Sequence, residues 1–376
     1  MGHEVTVISL KSGQSPKVEV ASDVKVYRTN NKLLNTIPII GHSEYSFSFS
    51  AFLELISILK RKRFDVIHGN KLQPLFSFMF LKYFESIPCI LTMHTPYSIH
   101  GPWDLETQKS MRISWLSNRI FLFPSYNTSE VICAKIASKV IAVSKSLSDI
   151  LITWGISKDK IAVIYNGIDA DWFSMKNVNR ITKKELNLEG HIVLFVGRLE
   201  KRKGPDLLIR AAPYILKELK NVNFVFVGED YGFKDFLVKE AREVGCLEKL
   251  FFVGKVSEAD LVNFYASCDV LVAPSRYESF GLMVGEAMSM AKPVIATNIG
   301  GFKEIIQDGV DGFLFEPKST ASLAEKVISV LSDRQTACRI GKNARQKIIK
   351  NFNWKLAAEK TVQVYREALR DSLQSS

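Results

Sequence analysis

Short apolar runs rich in β-branched residues alternate along nearly the whole chain with longer stretches whose apolar positions recur every three to four residues. The runs that predict strands are residues 4–9, 24–28, 65–68, 88–94, 139–144, 160–165, 191–197, 223–228, 250–254, 269–274, 293–297 and 312–315. Residues 51–62 illustrate the helical spacing. This alternation predicts an α/β fold in which helices cover parallel sheets on both faces.

A polar, charged segment at residues 177–189 separates two such series of strands and helices. It follows the turn-like sequence Asn166-Gly167-Ile168-Asp169 and precedes a new strand. We therefore expect two Rossmann-like domains, at residues 1–172 and 173–352, with a cleft between them. In such sheets ligands bind beyond the carboxyl ends of the strands, so the residues just after strands are the functional candidates.

Composition narrows the class of protein. The 376 residues are 47% hydrophobic and 24% charged, which excludes a disordered or disulfide-stapled chain. The apolar stretch at residues 75–81 stops at Lys82, short of the roughly 18 residues that span a membrane. Five scattered cysteines predict reduced thiols in a cytoplasmic protein, and the six histidines lack metal-ligand spacing, so we expect no metal site. The net charge of +11 forms no basic tail, and we expect no nucleic-acid partner.

Two carboxylates give the strongest chemical signal. Glu278 lies after the apolar strand 269–273 and just before a helix, and Glu286 is the one ionisable residue of the apolar helical stretch 282–291. Carboxylates accept hydroxyl groups, and a helix N-terminus accepts phosphate, so the pair indicates a pocket for a sugar or ribose joined to a diphosphate. The alternative is structural: Glu278 caps the helix, and Glu286 pairs with Lys292 or a backbone group.

A basic turn gives the second signal. The strand at residues 191–196 ends at Gly197, where the missing side chain allows close backbone approach. Four cations follow: Arg198, Lys201, Arg202 and Lys203. Cations placed after a strand and facing a cleft suit a phosphate clamp, whereas the alternative is a solvated basic loop.

Taken together, these motifs resemble the retaining glycosyltransferases of family four, which have the two-domain GT-B fold. The resemblance rests on the Glu-x7-Glu pair with its Ser-Phe-Gly filling and on ordered motifs elsewhere. These motifs lie at residues 65–68, 92–94, 142–144, 163–169, 197–198, 203–204, 253–254, 300–304 and 308–312. They cover nearly the whole chain.

The resemblance implies roles for five residues at the reaction centre. Arg198 and Lys203 would neutralise the donor diphosphate and take a catalytic part. Glu286 would hold the ribose hydroxyls, and Glu278 would orient the hydroxyls of the transferred sugar. His94, which follows an N-terminal strand, would face that sugar across the cleft.

The resemblance adds seven substrate-binding residues around this centre. They are Asn166, Gly197, Val253, Lys255, Phe280, Gly281 and Leu282. Backbone N–H groups at Phe280, Gly281 and Leu282 would touch sugar and phosphate. Val253 and Lys255 would flank the base.

The resemblance also implies the reaction. A UDP- or GDP-sugar would donate a hexosyl group with retention of the anomeric configuration, and a phosphate oxygen would accept the proton of the acceptor. Glu278 and Glu286 are not a glycosidase pair, because their expected partners are hydroxyls and the diphosphate is already a good leaving group. No metal or other cofactor is expected, since fixed cations can stabilise the leaving diphosphate.

The acceptor is expected to be a glycan or a lipid-linked molecule. Aromatic residues at 76–84 form either a membrane-leaning face for a peripheral association at the inner side of a membrane or a helix packed on the sheet. Trp103, Trp115 and residues 121–126 are candidates for an acceptor groove. The alternative function is a nucleotide-sugar-binding protein with impaired or no turnover.

The two ends of the chain carry further expectations. Relative to the family pattern, Gly2-His3-Glu4-Val5-Thr6-Val7 matches the second strand, so the first strand, glycine-rich loop and helix are expected to be absent. A misplaced start codon and a truncated enzyme are the two explanations. At the other end, the resemblance implies that the helix within residues 353–376 crosses back to cover the first domain.

Overall fold

The computed structural model describes residues 2–11, 13–29, 43–71, 74–84, 87–96, 123–179 and 188–375. The candidate acceptor groove at Trp103 and Trp115 lies outside these ranges. Strands and helices alternate through the described residues, which confirms the expected α/β class. None of the described helices is long and apolar enough to cross a membrane.

The N-terminal half contains seven strands and four helices within the described residues. In chain order they are β1 (Thr6–Leu10), β2 (Val18–Ala21), β3 (Val24–Thr29), α1 (Ser43–Leu59), β4 (Ile67–Asn70), α2 (Leu75–Phe84), β5 (Cys89–Met93), α3 (Phe123–Ile136), β6 (Lys139–Ala142), α4 (Lys145–Thr153) and β7 (Ile161–Val163). The last four strands form a parallel sheet in the order β4-β5-β6-β7. Strand β5 is buried along its whole length, as expected for a central strand covered on both faces.

The first three strands form a separate sheet in the order β1-β3-β2. Strand β2 pairs antiparallel with β3 through a two-residue turn at Ser22 and Asp23, both with positive φ, which matches a tight hairpin. A cavity of about 170 Å³ lies between the two sheets, lined by Thr6 and Ile8 of β1 and by all of β4. Because β1 and β4 are not hydrogen-bonded to each other, the described N-terminal strands make two sheets.

Helix α2 packs against α1. Phe78 is fully buried, the rings of Phe76 and Phe49 lie 5.7 Å apart, and those of Phe80 and Phe52 lie 5.5 Å apart. These three phenylalanines of α2 therefore belong to a packed helix. The side chains of residues 83 and 84 lie outside the described part of the chain.

The C-terminal half contains six strands and eight helices within the described residues. They are β8 (His191–Val196), α5 (Pro205–Glu218), β9 (Val222–Val227), α6 (Lys234–Glu243), β10 (Leu250–Gly254), α7 (Glu258–Ser267), β11 (Val270–Ala273), α8 (Leu282–Ser289), β12 (Val294–Thr297), α9 (Phe302–Ile305), β13 (Phe313–Phe315), α10 (Thr320–Ser332), α11 (Arg334–Asn351) and α12 (Trp354–Ser375). All six strands are parallel, in the order β10-β9-β8-β11-β12-β13. The order reverses between β8 and β11, which is where a sheet of this kind leaves a crevice for ligands.

The last helix, α12, packs on the N-terminal sheet. Its residues Val364 and Ala368 share a buried apolar cluster with Ile90 of β5 and Ile141 of β6. The last helix of the chain thus covers the β4-β5-β6-β7 sheet of the N-terminal half. The domain bounds at residues 172 and 352 stay predictions.

Candidate active site

A cavity of about 330 Å³ opens at the carboxyl ends of strands from both halves of the chain. Its lining residues are His94, Thr95, Val143, Asn166, Val196, Gly197, Lys203, Glu278, Ser279, Phe280, Gly281, Leu282, Met283 and Glu286. Nine of the twelve residues singled out from the sequence line this one cavity. They come from four separate regions of the chain, which meet here because each region follows a strand whose end faces the crevice.

A buried ion pair lies in this cavity. Lys203 Nζ donates to Glu278 Oε2 at 2.5 Å, and both side chains are nearly inaccessible to solvent. The turn that carries Lys203 reverses sharply at Gly204, which has φ +69° and whose added Cβ would come within 2.0 Å of the Pro274 carbonyl oxygen. This close approach brings the turn after β8 against the end of β11. Each charge therefore compensates the other, and an anion that binds beside Lys203 competes with Glu278 for the positive charge.

Tyr265 of α7 holds the second carboxylate. Its hydroxyl donates to Glu286 Oε2 at 2.6 Å, and the tyrosine is completely buried. Burial raises the pKa of Glu286, and the bond from Tyr265 opposes that rise. Lys292 instead donates to the carbonyls of Ala266 and Cys268, so the alternative of a Glu286–Lys292 pair is wrong. Tyr265 was missed from the sequence, where the only available signal is a tyrosine on an apolar helix that needs a buried acceptor.

Helix α8 directs its N-terminus at the cavity. It begins after Gly281, which has φ +99° and whose added Cβ would lie 2.4 Å from the Phe302 ring. No side chain caps this end, so the alternative in which Glu278 caps the helix is wrong. The cavity is lined by Gly281, Leu282 and Met283, the residues whose backbone N–H groups the first turn leaves without helical partners. These groups and the helix dipole favour an anion here.

The cations of the basic turn have different surroundings. Arg202 is buried and donates to Glu200 at 2.6 Å, so it is part of the packed turn. Arg198 lies 3.2 Å from the same carboxylate and 4.6 Å from the centre of the Tyr231 ring, outside the cavity lining. Lys203 is the cation of this turn that lines the cavity. A solvated basic loop therefore describes neither Arg202 nor Lys203.

The N-terminal half contributes His94 and Thr95, which follow β5. His94 Nε2 donates to Asn70 Oδ1 at 3.2 Å, which leaves Nδ1 as an acceptor. Burial lowers the pKa of His94, so its imidazole is neutral at neutral pH. Ser279 Oγ donates to Thr95 Oγ1 at 3.2 Å and thereby joins the two halves directly. Asn70 and Thr95 were not singled out from the sequence, and Ser279 was noted only as part of the Glu-x7-Glu motif, since only the fold brings the three together.

Two other predicted residues lie outside the cavity lining. Val253 is half-buried on the β10 side of the sheet and packs against the core. Lys255 is largely exposed and lies 3.8 Å from Glu229. Their roles beside a base stay predictions. Among the described residues, no three His, Cys, Asp or Glu side chains are grouped so that they could hold a metal ion.

Comparison with known proteins identifies the class. The structure is similar to that of Anabaena HepE in complex with UDP-glucose, with a TM-score of 0.70 and 19% sequence identity, covering 99% of this chain and 100% of that chain. This likeness shows the fold class, which is the GT-B fold of two Rossmann-like domains around a strand-end cleft. The chain's family follows from its sequence.

Residues 1–172 match the family model Glycosyltransferase Family 4, and residues 178–347 match Glycosyl transferases group 1. An uncharacterized glycosyltransferase of Methanocaldococcus jannaschii is 31% identical over 98% of this chain and 90% of its own length. Glycogen synthase of Mycobacterium tuberculosis is 29% identical over 99% of this chain and 89% of its own length. The protein belongs to the group 1, family four glycosyltransferases, which confirms the resemblance seen in the sequence.

Proposed function

We propose that the protein transfers a hexosyl group from a UDP- or GDP-sugar to a glycan or lipid-linked acceptor, with retention of the anomeric configuration. One observation carries the proposal: a single cavity brings together one lysine, two carboxylates and an uncapped helix N-terminus. The lysine and the helix N-terminus suit a diphosphate. The two carboxylates suit the hydroxyl groups of two rings, the transferred sugar and the ribose. HepE, which shares the fold, binds UDP-glucose.

Donor binding opens the internal ion pair. The diphosphate takes the place of Glu278 beside Lys203 and receives backbone N–H groups from the first turn of α8. Glu278 is then free to accept hydroxyls of the transferred sugar, and Glu286 accepts ribose hydroxyls. Tyr265 occupies one oxygen of Glu286, and a carboxylate keeps further lone pairs for the ribose.

The transfer step needs charge stabilisation more than a nucleophile. The bond between the anomeric carbon and the diphosphate oxygen breaks, and a bond to the acceptor oxygen forms on the same face of the sugar. The acceptor proton passes to a phosphate oxygen of the leaving group. Lys203 and the α8 N–H groups stabilise the negative charge that develops there, so the proposed reaction runs without a metal ion or other cofactor. His94 accepts a hydrogen bond from the sugar at Nδ1.

The identity of the acceptor is inferred from the class of reaction. We propose a lipid-linked or glycan acceptor, reached by peripheral association with the cytoplasmic face of a membrane. Five free cysteines, four of them buried, support a reducing compartment. The net charge of +11 supports attraction to an anionic surface.

Ligand binding and turnover are tested separately. The purified protein is first screened by thermal shift against UDP, GDP and their sugars, and the stabilising nucleotide sugar is then incubated with candidate glycan and prenyl-linked acceptors while nucleotide release is measured. Stabilisation with acceptor-dependent release supports transfer. Stabilisation without release from any acceptor supports the binding protein instead. A flat response to every nucleotide overturns both.

A further inference from the structure

A carboxylate outside the cavity lining binds the N-terminus of a helix in the other half of the molecule. Glu304 lies on α9 of the C-terminal half, and α4 of the N-terminal half begins at Lys145. Lys145 N donates to Glu304 Oε2 at 2.8 Å, and Ser146 N donates to Glu304 Oε1 at 2.9 Å. Each carboxylate oxygen thus takes one N–H group from the first turn of α4.

The rest of that helix end is already satisfied. Ser144 is the N-cap of α4, and its Oγ accepts from Leu147 N at 3.1 Å. An α-helix leaves about four N–H groups without helical partners at its start, so Ser144 and Glu304 together account for three of them. The positive end of the helix dipole also favours the charge of Glu304. The contact is therefore a specific, charge-assisted clamp between the two halves.

Tyr165 connects the Glu304 contact to the donor cavity. This tyrosine is hydrogen-bonded to Glu304, and burial, the charge of Glu304 and that bond raise the pKa of Tyr165 to about 12. Its ring stacks on Phe280 with the centroids 6.2 Å apart and an interplanar angle of 27°. Phe280 lines the donor cavity, so the Glu304 contact leads through two aromatic rings to the start of α8.

On the other side, the turn that leads into α9 packs against the backbone of Glu278. Gly301 N donates to the Glu278 carbonyl oxygen at 3.1 Å. An added Cβ would lie 2.6 Å from the Glu278 carbonyl oxygen at Gly300 and 2.2 Å from the Ser279 carbonyl oxygen at Gly301. No side chain fits at either position without a shift of this backbone. The segment that carries Glu304 therefore also fixes Glu278.

We propose that Glu304 is a positioning residue that holds the two halves closed and sets Glu278 and Phe280 against His94 for transfer. The inference rests on the proposed function for its kinetic part only. Glu304 does not line the donor cavity, and Glu278 is held by the backbone of Gly300 and Gly301, so loss of the Glu304 carboxylate leaves donor binding to the C-terminal half intact. Its loss opens the cleft and lowers the fraction of molecules in which both sides of the reaction centre meet.

The variants Glu304→Gln and Glu304→Ala test this inference. The amide keeps the shape and one acceptor oxygen but loses the charge and turns an NH₂ group toward a helix N–H. Losing charge-assisted bonds of this kind corresponds to roughly a tenfold fall in kcat for glutamine and a larger fall for alanine. Glu325→Ala, at an exposed carboxylate of α10, is the matched control.

Three measurements are compared between these proteins: the dissociation constant for the nucleotide sugar, kcat with a saturating acceptor, and the radius of gyration in solution without ligand. We expect an unchanged dissociation constant, a lower kcat and a larger radius in both Glu304 variants. Wild-type kcat and radius in Glu304→Ala, or a loss of donor binding that parallels the loss of kcat, overturn the inference.

If Glu304→Ala does not fold, the same three measurements on Glu304→Gln decide whether the inference holds. The radius separates this inference from the proposed function. A wild-type protein that binds no nucleotide overturns the proposed function, whereas the radius of the Glu304 variants still reports whether the clamp exists.

Discussion

The hydroxyl of Tyr265 donates to Glu286 Oε2 at 2.6 Å from a completely buried position on the neighbouring helix. The bond fixes the direction of a carboxylate that burial alone would drive toward its protonated form. It joins α7, none of whose residues lines the donor cavity, to the residue proposed to hold the ribose.

Tyr265→Phe removes this bond while keeping the ring. Because the hydrogen bond lowers the pKa of Glu286 and burial raises it, the pKa of Glu286 rises further in the variant. We expect donor affinity to fall about tenfold at neutral pH, with a larger loss toward acid, as one hydrogen bond to a charged group is worth roughly 1.5–3 kcal/mol. Calorimetric titration between pH 5.5 and 8 measures the profile.

The control for that experiment is Tyr214→Phe, since Tyr214 is an exposed tyrosine on α5. The Tyr214 variant should bind like the wild type at every pH. A parallel, pH-independent loss in Tyr265→Phe would mean that the hydroxyl only supports packing.

Glu286→Gln should stabilise the empty protein and abolish donor binding. The pKa of Glu286 is raised above its usual value, so its ionised form destabilises the folded state at pH values above the pKa of this group in the unfolded chain. Glutamine keeps an oxygen for the Tyr265 hydroxyl and removes that charge. Thermal unfolding at pH 7 should show a rise in Tm of about 1–2 °C.

The pH dependence checks the sign of this effect. As the pH falls through the raised pKa of Glu286, the wild-type carboxyl becomes neutral and its disadvantage disappears. The difference in Tm between the two proteins should therefore shrink toward pH 4.5. A difference that grows on acidification would contradict the assigned direction of the pKa shift.

Lys203→Ala should remove donor binding and also destabilise the empty protein. It takes away the cation for the diphosphate and leaves the nearly buried Glu278 carboxylate without its partner. We expect kcat/KM to fall at least a hundredfold, and unfolding free energy to fall by about 2 kcal/mol, since one partner of a buried pair is lost. Urea denaturation and nucleotide-release assays measure the two effects.

The double variant Lys203→Ala/Glu278→Gln separates these effects. It should recover part of the stability because no unpaired carboxylate remains, while donor binding stays lost. Lys220→Ala, at an exposed lysine beyond the opposite ends of the strands, is the matched control. Additive stability losses in the double variant would show that the ion pair does not couple the two residues.

Gly281→Ala should disturb the start of α8. The position has φ +99°, and the new methyl group would meet the Phe302 ring at 2.4 Å. The strained backbone and the steric clash both destabilise the folded state, so the unfolding free energy should fall by roughly 2–4 kcal/mol. Gly309→Ala is a matched comparison, since Gly309 has φ +73° but open space around its Cβ position, and it should cost only about 1–2 kcal/mol. Equal losses in the two variants would mean that Phe302 yields to the added methyl group.

Much of the fold could be predicted because its strands are short apolar runs between helices with a clear period. Strand β2 was missed because it is only four residues long and three of them, including Val18 and Val20, are exposed, so that only its hairpin with β3 makes it a strand. The split of the N-terminal strands into two sheets was also missed. Strand pairing is a relation between segments, and no periodicity within one segment records it.

The candidate site shows the same division. Lys203, Glu278 and Glu286 could be found because each stands out in its own neighbourhood, as a cation after a strand or a carboxylate at an apolar helix. Tyr265 could not be found, and Glu304 was noted only as the end of the motif at residues 300–304, without a role. The importance of each depends on a partner elsewhere in the chain, 21 positions away for Tyr265 and 159 for Glu304. Sequence therefore reveals which groups are present at strand ends, while the fold reveals which groups hold them.

In the empty cavity, Glu278 occupies the position beside Lys203 that the phosphate group of a ligand would take. A ligand that offers only phosphate binds Lys203 but separates it from Glu278. The negative charge of Glu278 then lies unpaired beside the negative charge of the phosphate. A ligand that also carries hydroxyls within reach of Glu278 compensates for both partners at once. Under the proposed function, the same pair that neutralises the empty cavity also ranks ligands, because it favours an intact nucleotide sugar over the nucleoside diphosphate that leaves after transfer.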